Sequence, residues 1–519
     1  MQARYAAGPV TIVYKDENGK KSNKKLIQLL WGDLVDLREE PPGDFAKVRV
    51  RIDEGTKMYD GWMKKSKIQE EPVLEVTFVD IGQGDGCLMI LPDKDKPDFL
   101  RRAMVIDAGE KDSMMRYVKY RFMYPSANRP KEIHAGIISH PDQDHYKGFK
   151  PIFRQAGISF KTLFHNGLVE RKGDSVLGAS TGTNPKLFTH LIKSKSQLKT
   201  LLDKDAQITG RKNYPDMLRE GLEADKFGAF RMLSREDGHM PGFKPGDEVE
   251  IEVLGPVVEK TSQGKMALRD FGNTGFTKNG HSVVLRLTYG NVRMLLGGDL
   301  NIPSEKLLLG TIMGKPVPEK KTEFTKYIKE ARKSLEVDVA KSCHHGSADF
   351  SSLFLSAVNP IVTVISSGDD EPHSHPRAET LGAIGVTSRG ERPLIYSTEL
   401  ARSARDAIRD PNRERKQIKD AHTAVLKAVD AVDKATTANE RAAAKKKKTA
   451  ASKAFRKLVD DTINRTVQVY GAIYVRTDGK DVVVAQRIER SSAGKQWDYS
   501  ELHPDAKGEL QFKSKYHGQ

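Results

Sequence analysis

Four side chains able to bind a cation fall within the short run Ser139-His140-Pro141-Asp142-Gln143-Asp144-His145. Imidazole and carboxylate ligands alternating in a tight loop can converge on two adjacent cations, His140 and Asp142 facing one, Asp144 and His145 the other. A polar loop with a helix cap would explain that segment alone, but not two further ones. Gly297-Gly298-Asp299 ends an apolar run, and Ser342-Cys343-His344-His345-Gly346-Ser347 follows another. A carboxylate at Asp299 could bridge two cations, and His344 or His345 could complete the second site. Two cations ~3.5–4 Å apart make water a nucleophile near neutral pH, so the expected chemistry is hydrolytic. Asp144, able to bind metal and to accept a hydrogen bond from the nucleophile, is expected to orient it. His345 or His375 would protonate the departing oxygen, although a histidine in Pro372-His373-Ser374-His375-Pro376 also suits a surface loop.

These groups need rigid elements to deliver them. Residues 76–81, 104–106 and 135–139 read as buried strands ending in Gly82-Gln83-Gly84-Asp85-Gly86, Asp107-Ala108-Gly109 and His140. Residues 283–287 and 292–296, joined across Gly290-Asn291, form a hairpin that leads to Asp299. Residues 165–260 carry polar loops and a helix at 213–224, and read as a cap over this core. Upstream, 9–70 alternates short β-prone runs with turns, as small barrels do, with Trp31 and Trp62 in its core or lining a peptide groove. Downstream, Ile418, Val425, Val429 and Val432, then Phe455, Leu458 and Val459, stand at helical spacing around an Ala/Lys tract, which predicts an antiparallel helical pair over 412–465. Strands at 467–475 and 481–488 would follow, so the pair reads as an insertion between core strands.

In the order Asp80-Ile81-Gly82-Gln83-Gly84-Asp85, Ile106-Asp107-Ala108-Gly109, Ser139 to His145, Ser282 to Leu287, Gly297-Gly298-Asp299, His344-His345-Gly346-Ser347 and His375-Pro376, the chain resembles the metallo-β-lactamase fold superfamily, and within it the hydrolase domain of ComEC-type competence proteins. The resemblance spans 74–400. It implies an α+β fold: a metallo-β-lactamase αββα sandwich with an N-terminal small β-barrel and an inserted helical hairpin. It also implies metal ligands at His140, Asp142, Asp144, His145, Asp299 and His344, with His345 as a supporting group or proton donor. His281 falls where a mid-chain ligand would lie, where this branch usually carries asparagine, and is expected either to ligate or to orient substrate. Gln83, Asp85 and Asp107 lie in matching loops and are expected to hold ligands through hydrogen bonds. Asp142 replaces the superfamily's usual second histidine, a harder ligand set that lets Mn²⁺ compete with Zn²⁺ for two divalent metal ions. The first 60 or so residues, ending in Tyr59-Asp60-Gly61-Trp62-Met63-Lys64-Lys65-Ser66, resemble bacterial Src-homology-type barrels. The expected domains are 1–72 (barrel), 73–400 (catalytic), 401–465 (basic helical insertion) and 466–519 (a hairpin completing the catalytic domain).

The chain has 519 residues and a net charge of +16, and residues 401–460 hold 17 Lys and Arg against 8 Asp and Glu. A localised basic segment suits phosphate-backbone binding, and Lys445, Lys446, Lys447 and Lys448 are its expected contacts. No stretch is apolar enough to cross a bilayer and the N-terminus lacks signal-peptide order, so a cytoplasmic protein is expected. The membrane channel domain that ComEC-type proteins carry has no counterpart here, which excludes DNA import by this chain alone. Cys87 and Cys343 form no disulfide framework and read as buried strand residues. The fold does not fix the substrate. The resemblance, the charge and the basic insertion favour a metal-dependent nuclease, organised as a bacterial defence effector would be. Alternatives are a small-molecule hydrolase of a lactone, thioester or cyclic nucleotide, and a scaffold with a vestigial site. Nucleic acid, a protein partner for the barrel and a second copy through the helical insertion are the expected partners.

Overall fold

The computed structural model describes residues 2–52, 58–122, 130–173, 175–203, 208, 213–368, 374–390, 392–398 and 411–512. They form a mixed α/β molecule with several sheets. Its centre is a pair of sheets that face each other across one apolar core. The larger has ten strands, in the order Phe227–Met232, Ile158–His165, Lys131–Ile137, Ala103–Ala108, Gly86–Ile90, Leu74–Phe78, Ile473–Thr477, Val482–Ser492, Lys495–Pro504 and Leu510–Phe512. The smaller has six: Glu250–Gly255, Val284–Tyr289, Val292–Leu296, Val339–Lys341, Val362–Ile365 and Leu394–Ser397.

Val76, Met89, Met104 and Ile137 of the larger sheet meet Leu285, Leu287, Met294 and Val362 of the smaller in that core. The outer face of the ten-stranded sheet is covered by helices Ser113–Phe122, Phe149–Arg154, Lys195–Asp203 and Tyr214–Glu223, through Tyr117, Phe153, Leu201 and Leu218. The outer face of the six-stranded sheet is covered by Ile302–Met313, Lys321–Leu335 and Ser352–Val358, through Leu309, Leu335 and Phe354. The strands buried on both faces are the near-continuous apolar runs of the sequence, as two-sided burial requires.

Within the larger sheet Ala103–Ala108, Lys131–Ile137 and Ile158–His165 run parallel, and within the smaller so do Val292–Leu296, Val339–Lys341 and Val362–Ile365. Their C-terminal ends therefore lie together, where loops leaving parallel strands build sites.

The segment read as a cap is in part core: Phe227–Met232 and Glu250–Gly255 are edge strands of the two sheets. Only Ser180–Thr181, Leu187–Phe188, Glu259–Lys260 and Met266–Arg269 form a separate small sheet. The helical pair is Pro411–Asp433 and Ala438–Tyr470, so the valines at 467 and 469, read as strand, are helical. Gly471 ends that helix, and Ile473–Thr477 then pairs antiparallel with Leu74–Phe78. Beyond the expected hairpin, two more strands extend the sheet.

Residues 2–69 form a seven-stranded sheet around Val13, Leu29, Val35, Val48 and Met63. Trp31 and Trp62 are buried. This unit is docked on the large sheet: Gln28 Oε1 accepts from the backbone N–H of Gln496 (2.7 Å), the Gln28 carbonyl accepts from the Trp497 indole (3.2 Å), and Trp31 joins the apolar cluster of the large sheet. No helix among the described residues is long and apolar enough to cross a membrane.

Candidate metal centre

Each of the converging loops leaves a buried strand. Lys131–Ile137 leads to Ser139-His140, and Asp142 precedes the short helix Gln143–Tyr146, which carries Asp144 and His145. Ala103–Ala108 contributes Asp107, Val292–Leu296 leads to Asp299, and Val339–Lys341 leads to His345.

His140 and His145 are fully buried. The His145 Nδ1 lies 2.8 Å from Asp107 Oδ2, which turns Nε2 inward, 3.1 Å from Asp299 Oδ2 and 3.3 Å from His345 Nε2. His345 is arranged in the same way. Its Nδ1 faces the Ser366 carbonyl at 3.0 Å and Asp85 Oδ1 at 3.1 Å, and its Nε2 lies 3.1 Å from Asp299 Oδ2 and 3.4 Å from Asp144 Oδ2. His140 Nδ1 sits between the Ser139 and Ser282 hydroxyls, at 3.0 and 3.2 Å, so its Nε2 faces Asp142 at 3.6 Å and Asp299 Oδ2 at 3.9 Å. Three imidazoles thus present the same nitrogen to one carboxylate oxygen. Gln83 Nε2 donates to Asp144 Oδ2 at 3.1 Å.

The backbone is shaped to this end. Asp107 (φ 53°), His344 (φ 48°) and His345 (φ 54°) occupy the left-handed region, uncommon for residues with a β-carbon. Gly84 (φ 101°) passes so close to the Asp144 carbonyl that a β-carbon would lie 1.8 Å from it, so the loop carrying Gln83 and Asp85 can approach only with glycine there.

Asp85, His145, Asp299 and His345 each offer one ligand atom, all within 4.8 Å of one another, and could bind a metal ion. Two observations fit a cation. The Nε2 atoms of His145 and His345 stand 3.3 Å apart, each 3.1 Å from Asp299 Oδ2, close enough for one cation to meet all three. Asp299 Oδ1 is buried and accepts no hydrogen bond. Burial alone would push the His145 and His345 imidazoles down, but the surrounding carboxylates, Asp299 foremost, hold both well above the usual range. Burial likewise opposes the Asp299 charge, but His145 and His345 hold that carboxyl well below its usual range.

Two lysines complete the surroundings, neither of them anticipated from the sequence. Lys341, itself buried, is ion-paired with Asp85 Oδ2, donates to the Gly298 carbonyl at 3.0 Å and lies 3.6 Å from Asp299 Oδ1. Lys278 is ion-paired with Asp142 and lies 3.1 Å from Glu170. The signal for Lys341 was a lysine closing an apolar strand. Lys278 carried none. The Asp142 and Asp144 side chains remain 26% and 20% exposed, so the centre opens to solvent on their side.

Four expected site residues are placed differently. The left-handed turn at 344–345 brings His345, not His344, into the cluster. His344 stands at the rim, its Nε2 3.4 Å from Asn279 Nδ2 and its ring 5.8 Å from that of His375. Asp85, expected only to support ligands, reaches the cluster itself. His281 lies apart: its Nε2 donates to the Arg269 carbonyl at 2.7 Å, its ring stacks on Phe271, and burial pushes it down to about 4. It follows the end of helix Thr274–Gly280, which turns the ring away from the cluster. His375 is buried and stacks on His345, with ring centroids 6.2 Å apart. Lys445, Lys446, Lys447 and Lys448 are exposed on helix Ala438–Tyr470 and take no part in the cluster. Burial pushes the Cys87 and Cys343 thiols up.

Comparison of the sequence with protein-family models and with curated proteins found no match. The functional reading therefore stands on the geometry.

Proposed function

We propose that this chain is a metal-dependent hydrolase of the metallo-β-lactamase type that cleaves phosphodiesters in nucleic acid. The observation that carries the reading is the convergence of His140, His145 and His345 Nε2 on Asp299 Oδ2, with Asp144 beside them and Asp107 and Asp85 behind the rings. The layering of helices, sheet, sheet and helices, with these loops at the strand ends, accords with the same reading. Zn²⁺ or Mn²⁺ held by His140, Asp142, Asp144, His145, Asp299 and His345 would supply the Lewis acidity that makes water a nucleophile near neutral pH.

The chain's own residues do the rest. Asp107 and Asp85 fix the rings of His145 and His345 from their outer nitrogens. Asp144, held by Gln83 on the open side, accepts a hydrogen bond from the attacking water and sets its direction. His344, half-buried beside His375 at the rim, is our candidate for returning a proton to the leaving oxygen. The preference for a polyanion rests on the exposed basic side chains of the two helices between residues 416 and 458.

The test is turnover of a simple phosphodiester, bis(4-nitrophenyl) phosphate, with Mn²⁺ or Zn²⁺ and with EDTA, beside a lactone and a thioester. Metal-dependent turnover of the phosphodiester alone supports the reading. Turnover of only the lactone or thioester would transfer it to small-molecule hydrolysis.

A further inference from the structure

Of four consecutive lysines on a helix the two middle ones point away from the face that the first and last share, because successive residues are ~100° apart around the axis. Lys445 to Lys448 therefore cannot act as one patch. A different set lines up. Arg441, Lys445, Lys448, Ser452 and Arg456 follow one another at spacings of four, three, four and four, the interval that keeps side chains on one face. Arg441, Lys445, Lys448 and Arg456 are all exposed, and the row is ~22 Å long at 1.5 Å per residue. The neighbouring face, with Ala444, Ala451, Phe455 and Leu458, is the more buried one and packs on helix Pro411–Asp433, where the Phe455 ring lies 5.5 Å from that of His422.

The row differs from an ordinary solubilising face. Residues 441–458 contain eight Lys and Arg and no Asp or Glu, whereas helix Pro411–Asp433 interleaves Asp420, Asp430 and Asp433 with its lysines. Like charges at i,i+3 and i,i+4 destabilise a helix by ~0.2–0.5 kcal/mol per pair, so the row is unfavourable to the isolated arm. A polyanion laid along it removes that repulsion. The arm also leads to the metal centre: Gly471, at its base, abuts the Asp80 carboxylate so closely that a β-carbon there would collide with it, and Asp80 opens the loop that carries Gln83 and Asp85.

We infer that Arg441, Lys445, Lys448 and Arg456 form a phosphate-backbone track that holds nucleic acid along one face of the helical arm. This deepens the proposed nuclease reading and rests on it for the choice of polyanion. Binding is nevertheless separable from hydrolysis.

The experiment uses the full-length chain in EDTA, so that nothing is cut. Fluorescence anisotropy reads binding of a labelled duplex of about 20 base pairs at salt between about 50 and 200 mM. One variant carries Lys445→Gln, Lys448→Gln and Arg456→Gln. A second removes the same charge elsewhere on the arm, through Lys416→Gln, Lys427→Gln and Lys453→Gln. Arg441 is left in place because its guanidinium donates to the Ala435 carbonyl at 3.2 Å and helps to close the turn. Glutamine keeps helix propensity, and far-UV circular dichroism checks that the arm persists.

The track predicts that the first variant loses about tenfold or more in affinity and that its salt slope falls by about 2.7, three phosphate contacts at ~0.9 each. The second variant stays within about twofold of the wild type, the remainder being long-range charge. Equal losses in both variants would overturn the track in favour of diffuse charge, and no loss in either would remove the arm from binding altogether. Track-dependent binding to phosphatidylserine vesicles without binding to duplex would overturn the choice of nucleic acid. If the wild type binds through the track but cuts no phosphodiester, the hydrolytic reading fails while the track stands.

Discussion

Lys341 Nζ, closing a strand of the smaller sheet, is ion-paired with Asp85 Oδ2 from a loop of the larger, donates to the Gly298 carbonyl at 3.0 Å and lies 3.6 Å from Asp299 Oδ1. The ammonium thus joins loops of the two sheets and stands beside the outward oxygen of Asp299 without a hydrogen bond to it, while Oδ2 faces the histidines.

Replacing it by an apolar isostere leaves two buried carboxylates without their partner, a loss of about 3 kcal/mol by analogy with broken buried pairs. Lys341→Met should therefore melt well below the wild type in EDTA, and added Mn²⁺ should raise its melting temperature by more than it raises that of the wild type. Equal metal-induced shifts in the two proteins would show that Lys341 does not balance the charge of the centre.

The two adjacent histidines should separate cleanly. His345→Ala removes an inward nitrogen and should lower metal affinity by about 10–100-fold or more, read by competition with a chelating dye. His344→Ala should bind metal as the wild type does and lose about 100-fold in turnover, the usual scale for a proton donor. The opposite pattern would return the ligand role to His344.

Stability at low pH should depend on Glu75. Burial would raise its carboxyl, but Arg121, Arg476 and Arg101 outweigh burial and hold it well below the ordinary value of 4.5. Arg101 and Arg476 approach it at 2.7 and 2.6 Å. A depressed folded-state pKa stabilises above the ordinary value, and that contribution is lost as the pH falls below 4.5 toward the folded-state pKa. Glu75→Gln should cost about 3–5 kcal/mol at pH 7 and flatten the fall in melting temperature below pH ~4.5. A variant with the wild-type acid profile would remove Glu75 from the balance.

Deletion of residues 1–72 bears on how the barrel is joined. If the barrel only recruits a partner, as its sequence suggests, removal of about its first 70 residues would leave activity nearly intact. The docked interface predicts otherwise, because deletion strips Gln28 from Trp497 and Trp31 from the large-sheet cluster. The truncated chain should be less soluble and melt lower by differential scanning fluorimetry. A melting temperature equal to that of the full chain would restore the independent module.

Much of the centre was legible because its ligands follow apolar strands as short runs of His and Asp. His145 and Asp299 fall in the group that could bind a metal ion, with His140 Nε2 3.9 Å from Asp299 and 3.6 Å from Asp142. The choice between His344 and His345 was not legible, since it depends on left-handed backbone at both residues, which composition does not encode. His281 sits beside the site in sequence, but the end of its helix aims the ring at the Arg269 carbonyl. The edge strands Phe227–Met232 and Glu250–Gly255 were hidden because they are not continuous apolar runs: Gly228 and Arg231 interrupt the first, and Glu250 and Glu252 alternate with apolar residues in the second. Valines 467 and 469 carry β propensity, but they lie in the continuation of a helix already propagating from Ala438.

The measurement that bears most directly on the central claim is a cleavage assay on single-stranded, linear duplex and supercoiled DNA, with Mn²⁺ or Zn²⁺ supplied and Asp144→Ala as the control. The account predicts metal-dependent cutting that EDTA and Asp144→Ala abolish while the variant's melting curve stays near that of the wild type. No cutting with either metal, or full cutting by Asp144→Ala, would contradict it.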